Sequence, residues 1–480
     1  MKQISTAILA ACILAGALVS CGSGNDTSVA PTDSQNIPDS TAAVTEAGVQ
    51  PYIAAEDNGG KQIFLQGFQV YYAPAVFAAE ENGDAYNDVI YQRIARTEEY
   101  LNIDIVFDDS ITHKDVAKTA QNNVASGDDA IQLMMSHDMR CNGSLVSENL
   151  CYDIASIESV DLTRDYWKFH TYDKLTVNGH VYLTKPMFII PSVGCLTFNK
   201  AMVADHDMEE PYSAVKDGTW TLDKLREMAK MVTKDANGDG TMDENDIYGY
   251  GSNGDWDLNA YIYASGLVVT DLDENGQIVL SMDTPRTYEL FESIHEFLNQ
   301  SGDAFIESGK MPMKDGRVLF RQTTTKGLDT LRDCEVEYGI VPYPKLDEAQ
   351  EGYYGYDISA FIHIPSSVRD PELCGKTLEM LNFYSRELVM PTYYDIQLNS
   401  KSVRDEESIE MLDLIFEGIV CDAGRTYFGT DNTAMQNLVY SISKHLYNKK
   451  TFDFASFYAR NVKGAEKCIE NFYKNLASLE

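Results

Sequence analysis

Six oxygen-bearing residues in DANGDGTMDEND, residues 235–246, fall at the spacing of a calcium loop. Such a loop takes ligands at alternate positions and at the twelfth, with glycine sixth for the sharp turn. Asp235, Asn237, Asp239, Thr241 through its carbonyl, Asp243 and Asp246 hold those places, with Gly240 at the turn. Asp246 stands where glutamate is usual, so its side chain reaches less far. A helical pattern precedes the loop, but Ile247-Tyr248-Gly249-Tyr250 reads as extended, which excludes a helix-loop-helix sensor. The expected cofactor is structural Ca2+, with no organic cofactor; the bland alternative is a solvated acidic turn.

A second group is Met135-Ser136-His137-Asp138-Met139-Arg140, directly after the apolar run AIQLMM. Ligands of α/β sheets bind beyond the carboxyl ends of strands, and Asp and Arg there can take hydroxyl groups by charge-assisted hydrogen bonds. The other reading is an ordinary polar loop. Twenty-nine tyrosines exceed what a core needs, because each brings a hydroxyl wanting a partner. Tyr71 and Tyr72 follow the first apolar strand pattern, Trp256 lies in SNGDWDLNAYIYASG, and Tyr354, Tyr356 and Asp357 precede a strand pattern into Phe361. A flat ring beside carboxylates suits a sugar face. No G-x-S-x-G, H-E-x-x-H, phosphate-binding loop or dinucleotide fingerprint occurs.

The elements that must position these groups begin after residue 60. Before it, MKQISTAILAACILAGALVSCGSG opens with Lys2 and an apolar run ending in Leu18-Val19-Ser20-Cys21. Such a run suits export and is too short to span a bilayer. Cys21 behind small residues resembles a bacterial lipobox, so residues 1–20 read as a cleaved signal and Cys21 as the lipidated residue. An ordinary secretory signal is the alternative. Residues 21–60 carry almost no large apolar side chain and read as a disordered tether. The expected location is the extracellular face of the cytoplasmic membrane, held by lipid.

The 480 residues carry 38 basic and 74 acidic side chains, a net charge of −36. That balance repels nucleic acid and anionic head groups. It also argues against capture of an acidic ligand by a general basic field, although one local arginine can still bind one. Hydrophobic content of 44% is globular. Seven cysteines lie beyond Cys21 at irregular spacing, without C-x-x-C, which fits buried free thiols better than a disulfide framework; a Cys141–Cys151 bridge is the minor alternative.

Strand and helix patterns alternate from Lys61 to Met135: strand at 61–72, helix at 87–101, strand at 102–108, helix at 112–126, strand at 130–135. HVYLTKPMFIIPSVGCLTFN (180–199) is broken by Pro186 and Pro191 and suits a segment crossing between lobes. Helix patterns follow at 221–234 and 285–300, strands at 317–325 and 337–344, and mostly helix after Pro371.

The chain resembles the extracellular solute-binding lipoproteins of ABC importers, family 1, the group of maltose-binding protein, over residues 61–480. The most specific stretches are TWTLDKLREMAKMVTKDANGDGTMDENDIYGYG, YGIVPYPKLDEAQEGYYGY and PTYYDIQLNSKSVRDEESIEMLDLI. The resemblance implies an α/β, two-lobed periplasmic-binding-protein type II fold with a hinge and an interlobe cleft. The lobes are expected at 61–185 with 313–364, and at 186–312 with 365–480. It implies a monomeric, non-enzymatic receptor that captures a carbohydrate, an oligosaccharide by preference, for membrane permease subunits. His137 and Asp138 look like the family's sugar-contacting loop, with Arg140 beside them. Trp256 falls where a stacking aromatic stands, Tyr71 and Tyr72 match only a position, and Ser192 stands where some members carry glutamate. The family's late tryptophan has no counterpart, since the tryptophans are Trp167, Trp220 and Trp256. Two alternatives are a surface lipoprotein glycosidase and a sensory protein that presents solute to a membrane kinase.

Overall fold

The computed structural model describes residues 50–69, 75–167, 172–254, 258–307, 310, 313–331, 333–398, 405–430, 432–448 and 451–478. The signal, Cys21 and most of the tether therefore lie outside the described residues. The last part of the expected tether does not: Tyr52 packs 4.5 Å from the Arg164 guanidinium, Ile53 accepts a bond from Tyr100 Oη (2.8 Å), and Glu56 pairs with Lys376 at 2.7 Å. Residues 51–60 thus belong to the fold, because backbone and ion-pair partners replace the apolar surface their composition lacks.

Two sheets organise the chain. The first holds β1 (Lys61–Gln66), β2 (Ile103–Asp108), β3 (Leu133–Ser136) and, far later, β12 (Phe361–His363), in the order β12-β3-β1-β2. β1 runs parallel to β2 and β3, as expected of strands joined through helices, while β12 is antiparallel to β3. Helix Ala85–Leu101 makes the first crossover; Asp84 caps it by accepting from the Tyr86 and Asn87 amides.

The second sheet holds β4 (Gly194–Asn199), β5 (Tyr248–Ser252), β8 (Ala304–Ile306), β9 (Val318–Thr324) and β10 (Tyr338–Pro342), in the order β10-β4-β9-β5-β8. Two small ribbons complete the strands: β6 (Thr270–Leu272) with β7 (Ile278–Leu280), and β11 (Gly355–Tyr356) with β13 (Ile419–Val420). Thr221 caps helix Leu222–Val232, whose Leu222, Leu225, Met228, Ala229 and Val232 form the buried stripe. That helix sits so close to β5 that any side chain at Gly249 would collide with the Ala229 backbone.

This pairing moves two lobe boundaries. Residues 318–342, expected with the first lobe, pair with β4 and β5 in the second sheet. Helix Pro371–Tyr384, expected with the second lobe, packs on helix Ala85–Leu101 of the first. Its buried Glu379 accepts from Trp167 Nε1 (2.9 Å), the Asp161 amide (3.0 Å) and Arg164 (2.7 Å). Strand pattern gives a segment its conformation; which sheet it joins is set by partners far away in sequence.

Three chain segments cross between the sheets. Thr184 bridges Ile362, Val193 bridges Asp357, and the Val193 carbonyl accepts from the Thr325 amide at 2.8 Å. The proline-broken run therefore yields only a short strand, β4, after an irregular crossing. The apolar core is continuous through it, from Ile63 and Leu133 by way of Ile189, Ile190 and Val193 to Leu196, Phe320 and Ile340. Arg93, fully buried, ties the first helix to this crossing by donating to Phe188 O at 3.1 Å; burial lowers its pKa to about 10. All seven described cysteines are free, and no described helix is long and apolar enough to cross a membrane.

Candidate functional site

β3 ends at Ser136, and the chain turns at once through His137, Asp138, Met139 and Arg140 into helix Asn142–Ser147. The turn is held by Asn142 Nδ2 donating to His137 O (2.9 Å), with Cys141 in left-handed backbone at φ 57°. These four residues form one wall of a cavity of about 290 Å³. Gly194 at the head of β4, with Gln322 and Thr324 on β9, supplies the second sheet's wall. Asn259, Ala260 and Tyr263 come from the short helix Ala260–Ala264 and its cap, and Tyr356 from β11. Arg425, Thr430, Gln436 and Tyr440 belong to the C-terminal helical region.

The strongest interaction in the wall is an ion pair. Arg425 Nη2 and Nε lie 2.7 and 3.0 Å from one Asp138 oxygen, and both residues are buried. His137 Nδ1 sits 2.7 Å from the other oxygen. Burial pushes the Asp138 carboxyl up, but the Arg425 guanidinium and His137 outweigh it and hold the pKa well below the usual carboxylate range. The pair also positions rings: the Arg425 guanidinium lies 4.6 Å from the Tyr356 ring centre, and Tyr263 lies 4.8 Å from it on ring centroids. Asp422, which caps helix Ala423–Phe428, anchors that helix to Thr270 Oγ1 (2.8 Å) and the Val269 amide (2.7 Å). Met139 O accepts from Thr430 Oγ1 at 3.3 Å, a second tie across the cavity.

The expected residues divide sharply. His137, Asp138, Arg140 and Tyr356 line the cavity. Ser192 and Asp357 do not; they lie beneath it, in the crossing. Asp357 is saturated there by the Ser192 and Ser359 amides (both 2.8 Å), Ser359 Oγ and Lys185. Tyr354 is also absent from the lining, its ring lying against Gly266 and Gly352. Tyr71, Tyr72 and Trp256 lie outside the described residues, although Asn259 and Ala260, shortly after Trp256, are in the wall. Arg425 went unnoticed in sequence. Its signal is a lone cation in CDAGRTYFG, among residues that belong in a core, where a buried guanidinium demands a partner.

The 235–246 loop closes as a hydrogen-bonded turn. Asp235 accepts from the Gly238 and Gly240 amides at 2.6 and 2.7 Å, and buried Asp246 accepts from Ala236 and Asp243 at 2.9 and 2.7 Å. The Asp243 amide foremost, with those of Ala236 and Asn237 and the neighbouring Asp235, holds the Asp246 carboxyl below its ordinary pKa, so two of the six expected ligands are neighbours. Among the described residues no three His, Cys, Asp or Glu side chains converge as a metal cage. The donor chemistry of Asp235 and Asp246 fits a divalent cation, while Asn237 and Asp239 are bonded to each other, Asn237 Nδ2 donating to Asp239 Oδ2 at 3.1 Å.

No protein-family profile matches the chain, and no curated protein matches it. Solved structures do. A sugar transporter from Rhizobium etli in an open conformation is 12% identical, with 87% of this chain and 100% of that one covered at a TM-score of 0.56. The maltose/maltodextrin-binding domain from Bdellovibrio bacteriovorus bound to maltotriose is 14% identical over 85% and 100%, at 0.53. UgpB from Mycobacterium tuberculosis in complex with glycerophosphocholine is 15% identical over 88% and 98%, at 0.52. At such identities the likeness is one of architecture: the chain has the two-lobed, mixed α/β fold of type II periplasmic-binding proteins.

Proposed function

We propose that the chain is the solute receptor of an ABC importer, anchored by lipid at Cys21, and that it captures a carbohydrate in the cavity between its two sheets. The observation that supports this most is the lining itself. Gln322, Asn259 and Gln436 offer amides, Thr324 and Thr430 hydroxyls, and Tyr263, Tyr356 and Tyr440 rings. Amides and hydroxyls read the edge of a sugar while rings cover its apolar face. Among the described lining residues Asp138 is the one carboxylate, and it is neutralised by Arg425. Paired-carboxylate glycoside cleavage needs a second carboxyl group and a proton to donate, so the glycosidase reading has less support than binding. Titration of an oligosaccharide panel by calorimetry tests the proposal; a flat response across the panel would remove it.

A second, independent proposal is that Ca2+ completes the 235–246 loop beside the Asp235–Asp246 pair. Backbone amides already shape the loop around both carboxylates, and a hard cation is the partner their remaining lone pairs suit. Chelation is expected to lower the melting temperature, with Ca2+ restoring it. Identical melts with and without chelator would leave the loop a plain turn.

A further inference from the structure

We infer that the captured solute carries an anionic group, a carboxylate or phosphate on the sugar, and that Arg140 receives it. This rests on the receptor reading above. The overall charge of −36 gives an anion no long-range attraction, so only local charge in the cavity can select one. In the described lining, Asp138 and Arg425 cancel as a buried pair, which leaves Arg140 as the remaining full charge. Its Nε is buried and has no hydrogen-bond partner, and no described carboxylate pairs with its guanidinium.

The groups next to Arg140 do not neutralise it. His137 spends Nδ1 on Asp138, and the His113 ring lies 5.6 Å from the His137 ring. Burial, and then the charge of Arg140, hold the His113 pKa down. A guanidinium with a buried, idle nitrogen costs desolvation energy that a partner must offset. A planar fork matches carboxylate or phosphate oxygens in a bidentate pair. Gln322 supplies the complementary observation: its Oε1 is buried and unpartnered in the opposite wall, free to accept a sugar hydroxyl. One wall offers an acceptor for hydroxyls, the other an unclaimed cation. An acidic sugar satisfies both; a neutral one leaves Arg140 idle.

The test uses matched sets of disaccharides built on glucose, galactose and mannose, each as the neutral sugar, the uronate and the 6-phosphate. Wild type, Arg140→Gln and Arg140→Lys are titrated with every member, and thermal melts check that the variants fold. In at least one set an acidic member should bind wild type roughly tenfold or more above its neutral mate. The uronate and phosphate arms identify which anion is preferred. Arg140→Gln should bring the acidic member's affinity down to that of its neutral mate, and Arg140→Lys should keep part of the preference. Neutral members binding as tightly as their acidic mates would overturn the inference and leave the receptor reading standing. So would an acidic preference that survives Arg140→Gln. Silence of all members would instead defeat the receptor reading, and this inference with it.

Discussion

Asp138 and Arg425 stand 287 residues apart in sequence and share one buried contact, so neither is tolerable alone. Arg425→Met is expected to destabilise the fold by about 3–5 kcal/mol, because it leaves Asp138 buried and unpaired. The double variant Asp138→Leu/Arg425→Met should recover much of that loss, as urea melts will show. The sign of the pH effect follows from the depressed carboxyl pKa. The pair's contribution is present above the ordinary aspartate range of about 4 and is lost as pH falls below it. Gln322→Leu, by contrast, should weaken solute binding by roughly tenfold with little change in melting temperature, since its Oε1 serves no internal bond. His137 and Asp138 were legible in the sequence because they follow a buried apolar strand immediately. Arg425 was not, because nothing local announces a partner so distant. Ser192 and Asp357 misled for a physical reason: polar residues in a crossing satisfy one another before any solute does.

Among the elements, helix Pro371–Tyr384 depends on Glu379, which gathers Trp167, Arg164, Tyr166 and the Asp161 amide at one buried carboxylate. Glu379→Ala should cost about 3 kcal/mol in a chemical melt, and should leave the affinity for solute unchanged because the residue is not in the cavity wall. β12 carries a second test. His363 is fully buried without a partner at either ring nitrogen, and burial lowers its pKa to about 3. The unfolded chain takes up a proton near pH 6.5 that the folded chain refuses, so stability falls as pH drops from 6.5 toward 3. The slope is about 1.4 kcal/mol per pH unit, and His363→Phe should flatten it in pH-dependent melts. Strand and helix positions were largely readable from periodicity, as at 222–232 and 318–324. Sheet membership was not: β9 and β12 look alike as patterns, and their partners decide which lobe each completes.

At the scale of the molecule, two sheets joined by three crossings make a cavity whose walls come from both. Under the receptor proposal, a solute held by walls from both sheets would act as a bond between them and bind a closed arrangement better than an open one. X-ray scattering should accordingly register a smaller radius of gyration with solute than without. The architecture was legible from alternating patterns and the proline-broken crossing, whereas the composition of the cavity required the fold. The most direct test of the central claim is calorimetric titration of the folded domain with the neutral and acidic sugar panel. The account predicts saturable one-to-one binding by at least one member in the micromolar range or tighter, about 8 kcal/mol or more. The absence of binding by every sugar, in a protein whose melting curve shows it folded, would contradict it.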